Sequence, residues 1–518
     1  MASSLDNLMD EWVTDSNEAF YLNLTRSTSS KDKPQRVLDE PFNPSFTYEI
    51  YGDEQKLVGY KEPAIYLDFR ANDLTPSLDI QFKQKLDLAT IIPEFEQVDL
   101  EEPLKDILPS YVFESSENNH VPGPDPTSQA WTPPGKLIRS FKQQGKDYEI
   151  WGASLADPRA LQIFRNMQIL VILFIEGGSQ LELDEPWTLD RWTLYLMYEV
   201  TPLKNSSASP YTIAGFSTSY RYWVFPTLEV MRAIKAIPSP PASDSGHVTD
   251  YHTHLTQDPK THLINEQINT LEVQSRERIS QFIILPPYQR RSLGSELYET
   301  IFGVLVKVSN VWEIPVEDPS EAFDAMRDYS DMAYLRRMSS FEALSLASSI
   351  PPDKMRKDAP IPRDLILGNG ADLDAIRHES KIVPRQFNRL VEMHLLSTIP
   401  TLSRSTARLT RKDKSSNEND RKYYFWRLAV KDRIYRQSAD VLDQLEDHAE
   451  KVQKLEDAVD NVVDEYSERL QGIDKRVGKG PQESQNSANK LAKRKRVVVD
   501  DDDEDDADSV ASSKKIKA

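Results

Sequence analysis

The chain has 518 residues, a formal net charge of -20 at pH 7, 39% hydrophobic residues and no cysteine. That length suits two to four domains with a substantial core. The acidity argues against general affinity for DNA or an anionic membrane and fits attraction to a basic partner. Without cysteine there are no disulfides, no thiolate metal sites and no acyl-cysteine intermediate, so any acyl transfer should proceed by direct attack from a bound acceptor; a serine or carboxylate ester stays formally open, with no residue pattern that flags an activated nucleophile. No run of eighteen apolar residues predicts a membrane helix, and the polar, acidic start Met1-Ala-Ser-Ser-Leu-Asp6 does not read as a secretory signal.

Residues 1–45 begin with an amphipathic stretch from Asp10 to Phe20 and continue as a Ser/Lys/Pro-rich loop. Residues 47–51, 57–60, 64–69 and 78–82 read as short strands, with Gly52-Asp53-Glu54-Gln55 as a turn, which predicts a β-rich N-terminal domain. Residues 83–147 are acidic, proline-rich from Pro122 to Pro134 and weakly periodic, and read as a connecting region that ends the first domain at 147. A strand over 148–152 leads to a helix on which Leu161, Phe164, Met167, Leu170, Val171 and Phe174 share one face, ending at Gly177-Gly178. Glu176 then falls in the last turn, where the helix dipole repels a carboxylate and favours a raised pKa; a solvent-exposed glutamate is the bland reading. Residues 191–198 and 213–223 are the next strands, expected to pair antiparallel.

Residues 227–277 separate two of the predicted strands. They hold the run Pro238-Ser-Pro-Pro-Ala-Ser-Asp-Ser-Gly246 and His247, Asp250, His252, His254 and His262 in no fixed ligand spacing, so no metal is expected. Next, residues 279–285 are β-branched and aromatic, and Pro286-Pro287 stops that strand because neither ring donates a ladder hydrogen bond. A polar loop, Gln289 to Ser292, precedes Leu293, Leu297, Tyr298, Ile301, Phe302 and Leu305 at helical spacing. In such a strand-turn-helix the loop N–H groups and the orphan N–H groups of the first helical turn converge on a spot suited to a pyrophosphate, and Arg290 and Arg291 add charge.

Residues 311–316 predict a strand, closed by Glu317-Asp318-Pro319-Ser320 before a helix carrying Ala322, Phe323 and Met326. From 336 to 475 the pattern is helical, including 385–396, with a polar break over 412–422 and a long charged helix bearing Leu442, Leu445, Ala449, Val452, Leu455, Val459, Val462 and Tyr466. That helix is expected to close an intramolecular hairpin. Beyond Gly472 the composition turns disordered, giving a tail over 476–518 with a basic cluster, Lys493-Arg-Lys-Arg496, an acidic run from Asp500 to Asp506, and Lys514-Lys515-Ile516-Lys517. The basic cluster reads as a nuclear import signal.

Gln289-x-x-Ser292-x-Gly294 is similar to the Q/R-x-x-G-x-G/A acetyl-CoA loop of the GCN5-related acetyltransferases, and Leu285-Pro-Pro-Tyr-Gln289 resembles one branch, the type B histone acetyltransferase catalytic subunits. Phe42-Asn-Pro-Ser-Phe-Thr-Tyr-Glu-Ile-Tyr-Gly-Asp-Glu-Gln-Lys-Leu-Val-Gly-Tyr60, Phe174-Ile-Glu-Gly177 and Val316-Glu-Asp-Pro-Ser-Glu-Ala-Phe-Asp324 resemble the same subunit. Ser292 stands where the family has its first glycine. Either it sits at φ > 0 with strain of roughly 1 kcal/mol, or its hydroxyl caps the helix or meets a phosphate oxygen.

The resemblance implies an α/β (α+β) chain: a β-rich N-terminal domain, a GCN5-related acetyltransferase domain over 148–335, with an insertion at about 227–277 where the family has a shorter link, and a helical C-terminal domain over 336–475. It implies acetyl transfer from acetyl-CoA to lysines in the tail of newly made histone H4, carried with histone H3, in company with a WD-repeat histone chaperone, in nucleus and cytoplasm. A lysine amine near pKa 10.4 is protonated at pH 7 and must lose a proton before attacking a thioester. Glu317 is implied as that base, with Asp318 and Glu176 as supporting acids. The implied cofactor contacts are Phe282, Ile283, Ile284, Gln289, Arg290, Arg291, Ser292, Leu293, Gly294, Ser295 and Ser320. Asp53, Glu54, Gln55, Trp192, Tyr220, Arg221 and Tyr222 are implied for the histone peptide. The competing reading is a non-catalytic histone-binding protein that keeps the fold.

Overall fold

The computed structural model describes residues 11–26, 34–87, 97–113, 123–181, 183, 185–201, 203, 208–223, 258–261, 271–272, 274–356 and 359–478. The histidines of the insertion and the charged clusters of the tail lie outside these residues.

Near the N-terminus, β1 (Phe20–Arg26), β2 (Gln35–Arg36), β3 (Ala64–Arg70) and β4 (Pro76–Gln81) form a sheet in the order β2-β1-β3-β4, with β1 and β3 parallel. The stretch 47–51, expected as a strand, is instead a helical turn, Tyr48–Tyr51. One turn buries the adjacent Ile50 and Tyr51 together, which a strand's two-residue alternation does not allow. The Tyr51 hydroxyl then donates to the Leu100 carbonyl at 2.9 Å. Within the amphipathic stretch, Val13–Asp15 pairs with Lys56–Val58 before β1 begins.

Among the described residues the main sheet has six strands. β5 (Lys136–Gln143) and β6 (Lys146–Ser154) form a hairpin through Gln144 and Gly145, both at positive φ, 50° and 78°. Two left-handed central residues match the twist of the flanking strands. The region read as a connector therefore contains the sheet's edge strand. After β6, α1 (Pro158–Phe174) is started by Asp157, whose carboxylate accepts from the Arg159 N–H, and by Pro158 in the first turn. Then come β7 (Trp192–Val200), β8 (Tyr211–Trp223), β9 (Ser275–Ile284), α2 (Leu293–Leu305), β10 (Val311–Glu313) and α3 (Glu321–Leu335). The sheet order is β10-β9-β8-β7-β6-β5, antiparallel except for β9 with β10.

Buried Ile163, Phe164, Met167, Leu170 and Val171 of α1 join the sheet's apolar residues in the core, each contributing on the order of 1.5–3 kcal/mol. The small and main sheets are joined where the Ile213 N–H meets the Ala71 carbonyl at 2.7 Å and the Tyr198 hydroxyl meets the Asn72 carbonyl at 3.1 Å.

The C-terminal region is helical: α4 (Arg363–Gly368), α5 (Pro384–Ser397), α6 (Glu418–Gln437) and α7 (His448–Gly478). The polar break contains the start of α6, whose Asn417 cap accepts from the N–H groups of Asn419 and Asp420. Leu442 ends a separate turn, Ala439–Leu442, so α7 begins later than expected; it also runs past Gly472 to Gly478. It folds back on α6, α5 and α3. Among the described residues no helix is long and apolar enough to cross a membrane.

Candidate active site

The site is a fork in the sheet. On one side β9 pairs with β8 along its length: Gly215 faces Ile284, Phe216 faces Ile283 and Ser217 faces Phe282. On the other side its pairing with β10 ends early. Ser275 and Arg276 face Val311 and Glu313, a last bridge joins Ile279 to Val316, and the Glu317 N–H reaches the Ile279 carbonyl at 2.9 Å. Beyond Ile279 no strand among the described residues pairs with that edge.

The divergence coincides with a bulge. Three steps of β9, from Ile279 to Phe282, lie opposite two steps of β8, from Ser219 to Ser217. The Gln281 N–H, displaced from the ladder, is met by the Thr218 hydroxyl at 3.0 Å. An extra residue of this kind bends a strand and re-aims the residues beyond it. Past the bulge, the Leu285 N–H bonds the Ala214 carbonyl at 3.0 Å, so by alternation the N–H and C=O of Phe282 and Ile284 face the open side of the fork. The Ile284 carbonyl is held there by Gln289 Nε2 at 2.9 Å. Ile283 points its backbone the other way, toward β8.

Two helices hold this strand from opposite faces. Gln281 and Gln168 of α1 exchange amide hydrogen bonds of 3.0 and 3.3 Å in a buried pair. The next residue, Phe282, packs edge-on against Phe323 of α3, ring centroids 5.0 Å apart.

At the tip of the fork, Pro286–Tyr288 make a short turn, and Arg290 and Ser292 both take left-handed φ, 61° and 62°. Arg291 between them does not. Alternating handedness points successive N–H groups into one concavity, an anion-binding nest, directly before the free N–H groups of α2. Ser292 makes no side-chain cap to α2. Of the two readings for this serine, the backbone thus takes the conformation a glycine adopts freely, and the capping role is not filled. Gly294 lies in the first turn, where an added Cβ would come within 3.0 Å of Met326 Sδ; its bare backbone lets α2 approach α3. Leu293 is buried and Ser295 half-buried in that turn. The Arg291 guanidinium lies over the Tyr288 ring, 5.6 Å from its centroid, while Arg290 is exposed.

Glu317 stands at the root of the fork. One carboxylate oxygen faces Arg278 Nη1 at 3.1 Å, and the other accepts a short hydrogen bond from the Ser280 hydroxyl. Its side chain is 36% exposed, so solvent or a ligand reaches it. Asp318 is exposed at φ 32°, and Ser320 caps α3 by accepting from the Phe323 N–H at 3.3 Å. Arg278 and Ser280 were not singled out in the sequence. For Ser280 the signal was there: Ser280-Gln281 are consecutive polar residues inside the otherwise apolar stretch 279–285.

An aromatic row leads to this carboxylate. Trp192 pairs with Tyr220 across the sheet, rings 4.7 Å apart; Tyr220 stacks on Tyr222 at 6.3 Å; and Arg278 lies 5.6 Å over Tyr222. Arg221 alternates to the other face, where Glu277 takes it at 2.8 Å.

Glu176 lies past the end of α1, which stops at Phe174, and is exposed in a turn; the dipole argument, which required it inside the last helical turn, does not apply. The Tyr48 hydroxyl accepts from the Gly177 N–H at 2.6 Å, tying that turn to the segment carrying Asp53 and Glu54, both exposed. Gln55 buttresses the same segment, its side-chain oxygen accepting from Asn17 Nδ2 at 3.0 Å and the Thr47 N–H at 3.1 Å. No hydrogen bond or ion pair among the described residues joins Glu176 to Glu317. Among those residues no cluster of three or more His, Asp or Glu is placed to hold a metal ion.

A family model described as the N-terminus of the histone acetyl transferase HAT1 matches residues 12–176, and one described as the C-terminal part of fungal HAT1 matches residues 345–399. The histone acetyltransferase type B catalytic subunit of Aspergillus oryzae is 35% identical over 470 residues, covering 88% of this chain and 85% of its own. That of Gibberella zeae is 35% identical over 492 residues, covering 93% and 95%, and that of Candida albicans 29% identical over 458 residues, covering 88% and 89%. With a fork and nest of this build inside that span of identity, the chain belongs to the family of histone acetyltransferase type B catalytic subunits, a family of acetyltransferase enzymes.

Proposed function

We propose that the chain transfers acetyl from acetyl-CoA to lysine side chains in the N-terminal tail of newly synthesised histone H4, by direct attack while both substrates are bound. The observation that carries this is the carboxylate of Glu317 at the point where β9 leaves β10. The residues present fit the nucleotide thioester. The outward N–H and C=O groups of Phe282 and Ile284 suit the amide-bearing pantetheine arm, and Gln289 to Ser295 suit the pyrophosphate through the nest and the helix start. When bound, the thioester supplies the acetyl group.

Glu317 accepts a proton from the lysine ammonium, directly or through water, freeing the lone pair that forms the new C–N bond; as the C–S bond breaks, coenzyme A leaves as the thiolate and takes up the second proton that the nitrogen sheds. Ser280 and Arg278 are positioning residues: each engages one carboxylate oxygen, so the acceptor is aimed before substrate arrives. Asp318 and Glu176 are supporting acids that share the proton or relay it through water. The row Trp192, Tyr220 and Tyr222 receives the aliphatic stem of the lysine and its neighbours, and Asp53 and Glu54 attract the basic tail. Histone H3 with H4, and a WD-repeat histone chaperone, are the proposed partners, and nucleus and cytoplasm the proposed compartments; the net charge of -20 suits basic partners. The boundaries at about 147, 335 and 475 are the proposed domain limits.

Incubation with acetyl-CoA and an H4 tail peptide should give acetyl-lysine with initial-rate lines that intersect, as direct transfer requires. Parallel lines, or a protein that binds the peptide and transfers nothing, would overturn the mechanism in favour of an acyl-enzyme or a non-catalytic histone binder.

A further inference from the structure

Far along the chain from the fork, the C-terminal helices enclose a second polar cavity of about 280 Å³. Five arginines line it: Arg363 at the start of α4, Arg385 and Arg389 on α5, and Arg433 and Arg436 in the last turns of α6. Glu465 and Tyr466 of α7 close it.

Its carboxylates do not balance its cations. Glu392, completely buried, is shared by Arg363 at 3.2 Å and Arg433 at 2.9 Å. Asp328, equally buried, is shared by Arg389 at 2.8 Å and Arg469 at 3.6 Å. Glu465 lies 2.5 Å from that same Arg389 and 3.9 Å from Arg469, and Asp432 takes Arg436 at 3.0 Å. Arg385 is exposed at the rim and makes no ion pair among the described residues. Among the described residues six guanidinium groups therefore stand against four paired carboxylates, with Asp324 of α3 a fifth acid that acts on Arg389. In a partly enclosed, low-dielectric space an excess of cations is held at a cost that an anion would offset.

The donors also remain unspent on the protein side. The Nε groups of Arg363 and Arg389 are buried with no hydrogen-bond partner, although buried donors are normally paired. Arg436 commits only its Nε to Asp432. Planar guanidinium forks converging on one space match phosphoryl oxygens in geometry as well as charge.

We infer that this cavity between α4, α5, α6 and α7 is a binding site for a small polyphosphate anion, distinct from the nucleotide site at the fork. Deep Arg363, Arg389 and Arg433 supply fixed positive charge, and Arg385 and Arg436 at the mouth close on the ligand. Because the site is built by helices from four parts of the C-terminal region, an occupied cavity ties them together, and ligand should raise the melting temperature of the whole protein.

The test is calorimetric titration of the full chain with inorganic pyrophosphate and with inositol hexakisphosphate, in saturating coenzyme A so that the fork is already filled. Binding by wild type is expected, weakened at least tenfold in the double variant Arg385→Ala, Arg436→Ala, whose acetyl transfer to a histone peptide stays unchanged. A response to inositol hexakisphosphate alone assigns the site to organic polyphosphates, and an equal response to pyrophosphate assigns it to phosphate chemistry in general. No heat and no melting shift with either probe, a shift matched by sodium chloride at equal ionic strength, or undiminished binding in the double variant would overturn the proposal. A failed acetylation assay bears only on the fork.

Discussion

Glu317 and Glu392 are both glutamates paired to arginine and to a hydroxyl, yet they sit in opposite kinds of surroundings. Glu317 is 36% exposed, with Arg278 on one oxygen and Ser280 on the other, at a place where the sheet opens. Glu392 is fully buried, clamped by Arg363, Arg433 and the Tyr466 hydroxyl at 3.1 Å. A proton acceptor must exchange partners during turnover and needs access; a structural carboxylate must not, because losing a partner inside the protein strands a charge. The difference teaches that an ion pair alone does not mark a functional acid. The exit open to it does.

The sharpest break of that contrast is Glu317→Gln, which should lower kcat by about 10²- to 10⁴-fold while acetyl-CoA binding, measured calorimetrically, is retained. Full activity would remove Glu317 as the base. Its counterpart, Glu392→Ala, should cost about 3–5 kcal/mol in urea denaturation because two arginines lose their common partner, with kcat per folded molecule preserved.

A third test separates the regions by pH. Burial holds the His394 imidazole down at about 4 and pushes the Asp328 carboxyl up to about 6. Between pH 6.5 and 4 the unfolded histidine binds a proton that the folded one refuses, so its contribution, up to on the order of 3 kcal/mol, is full above 6.5 and lost as pH falls. Asp328 acts in the opposite sense: its contribution is present at low pH and lost as pH rises through about 6. Hence His394→Leu should flatten or invert the loss of urea midpoint between pH 6.5 and 5.

Smaller effects belong to the fork. Ser280→Ala should lower kcat several-fold, on the order of 1 kcal/mol for one hydrogen bond, without changing KM for acetyl-CoA, and Ser280→Thr should restore it. Ser292→Gly should tighten acetyl-CoA about fivefold by relieving roughly 1 kcal/mol of left-handed strain; weaker binding would instead assign the hydroxyl a phosphate contact.

The strand-turn-helix from Ile279 to Leu305 was legible because its period switches from two to 3.6 across a proline pair, while the role proposed for Glu317 comes through family resemblance. The fork itself was not, since it consists of pairing that stops, and a residue string records no missing partner. The bulge at Ser280-Gln281 left two polar letters in an apolar run, a trace visible only in hindsight. β5 escaped because proline-rich text precedes it, although Gln144-Gly145 between alternating residues is a hairpin signal. The start of α6 was masked by its charges, which hide Tyr423, Phe425 and Trp426 on its buried side.

The reciprocal amides of Gln168 and Gln281 fasten β9 to α1 beside the bulge. Neither group titrates, so this fastening is indifferent to acidity. The shape of the crevice is thereby decoupled from the protonation state of Glu317, and in the role proposed for it that carboxylate would cycle between ionised and neutral forms without this fastening answering.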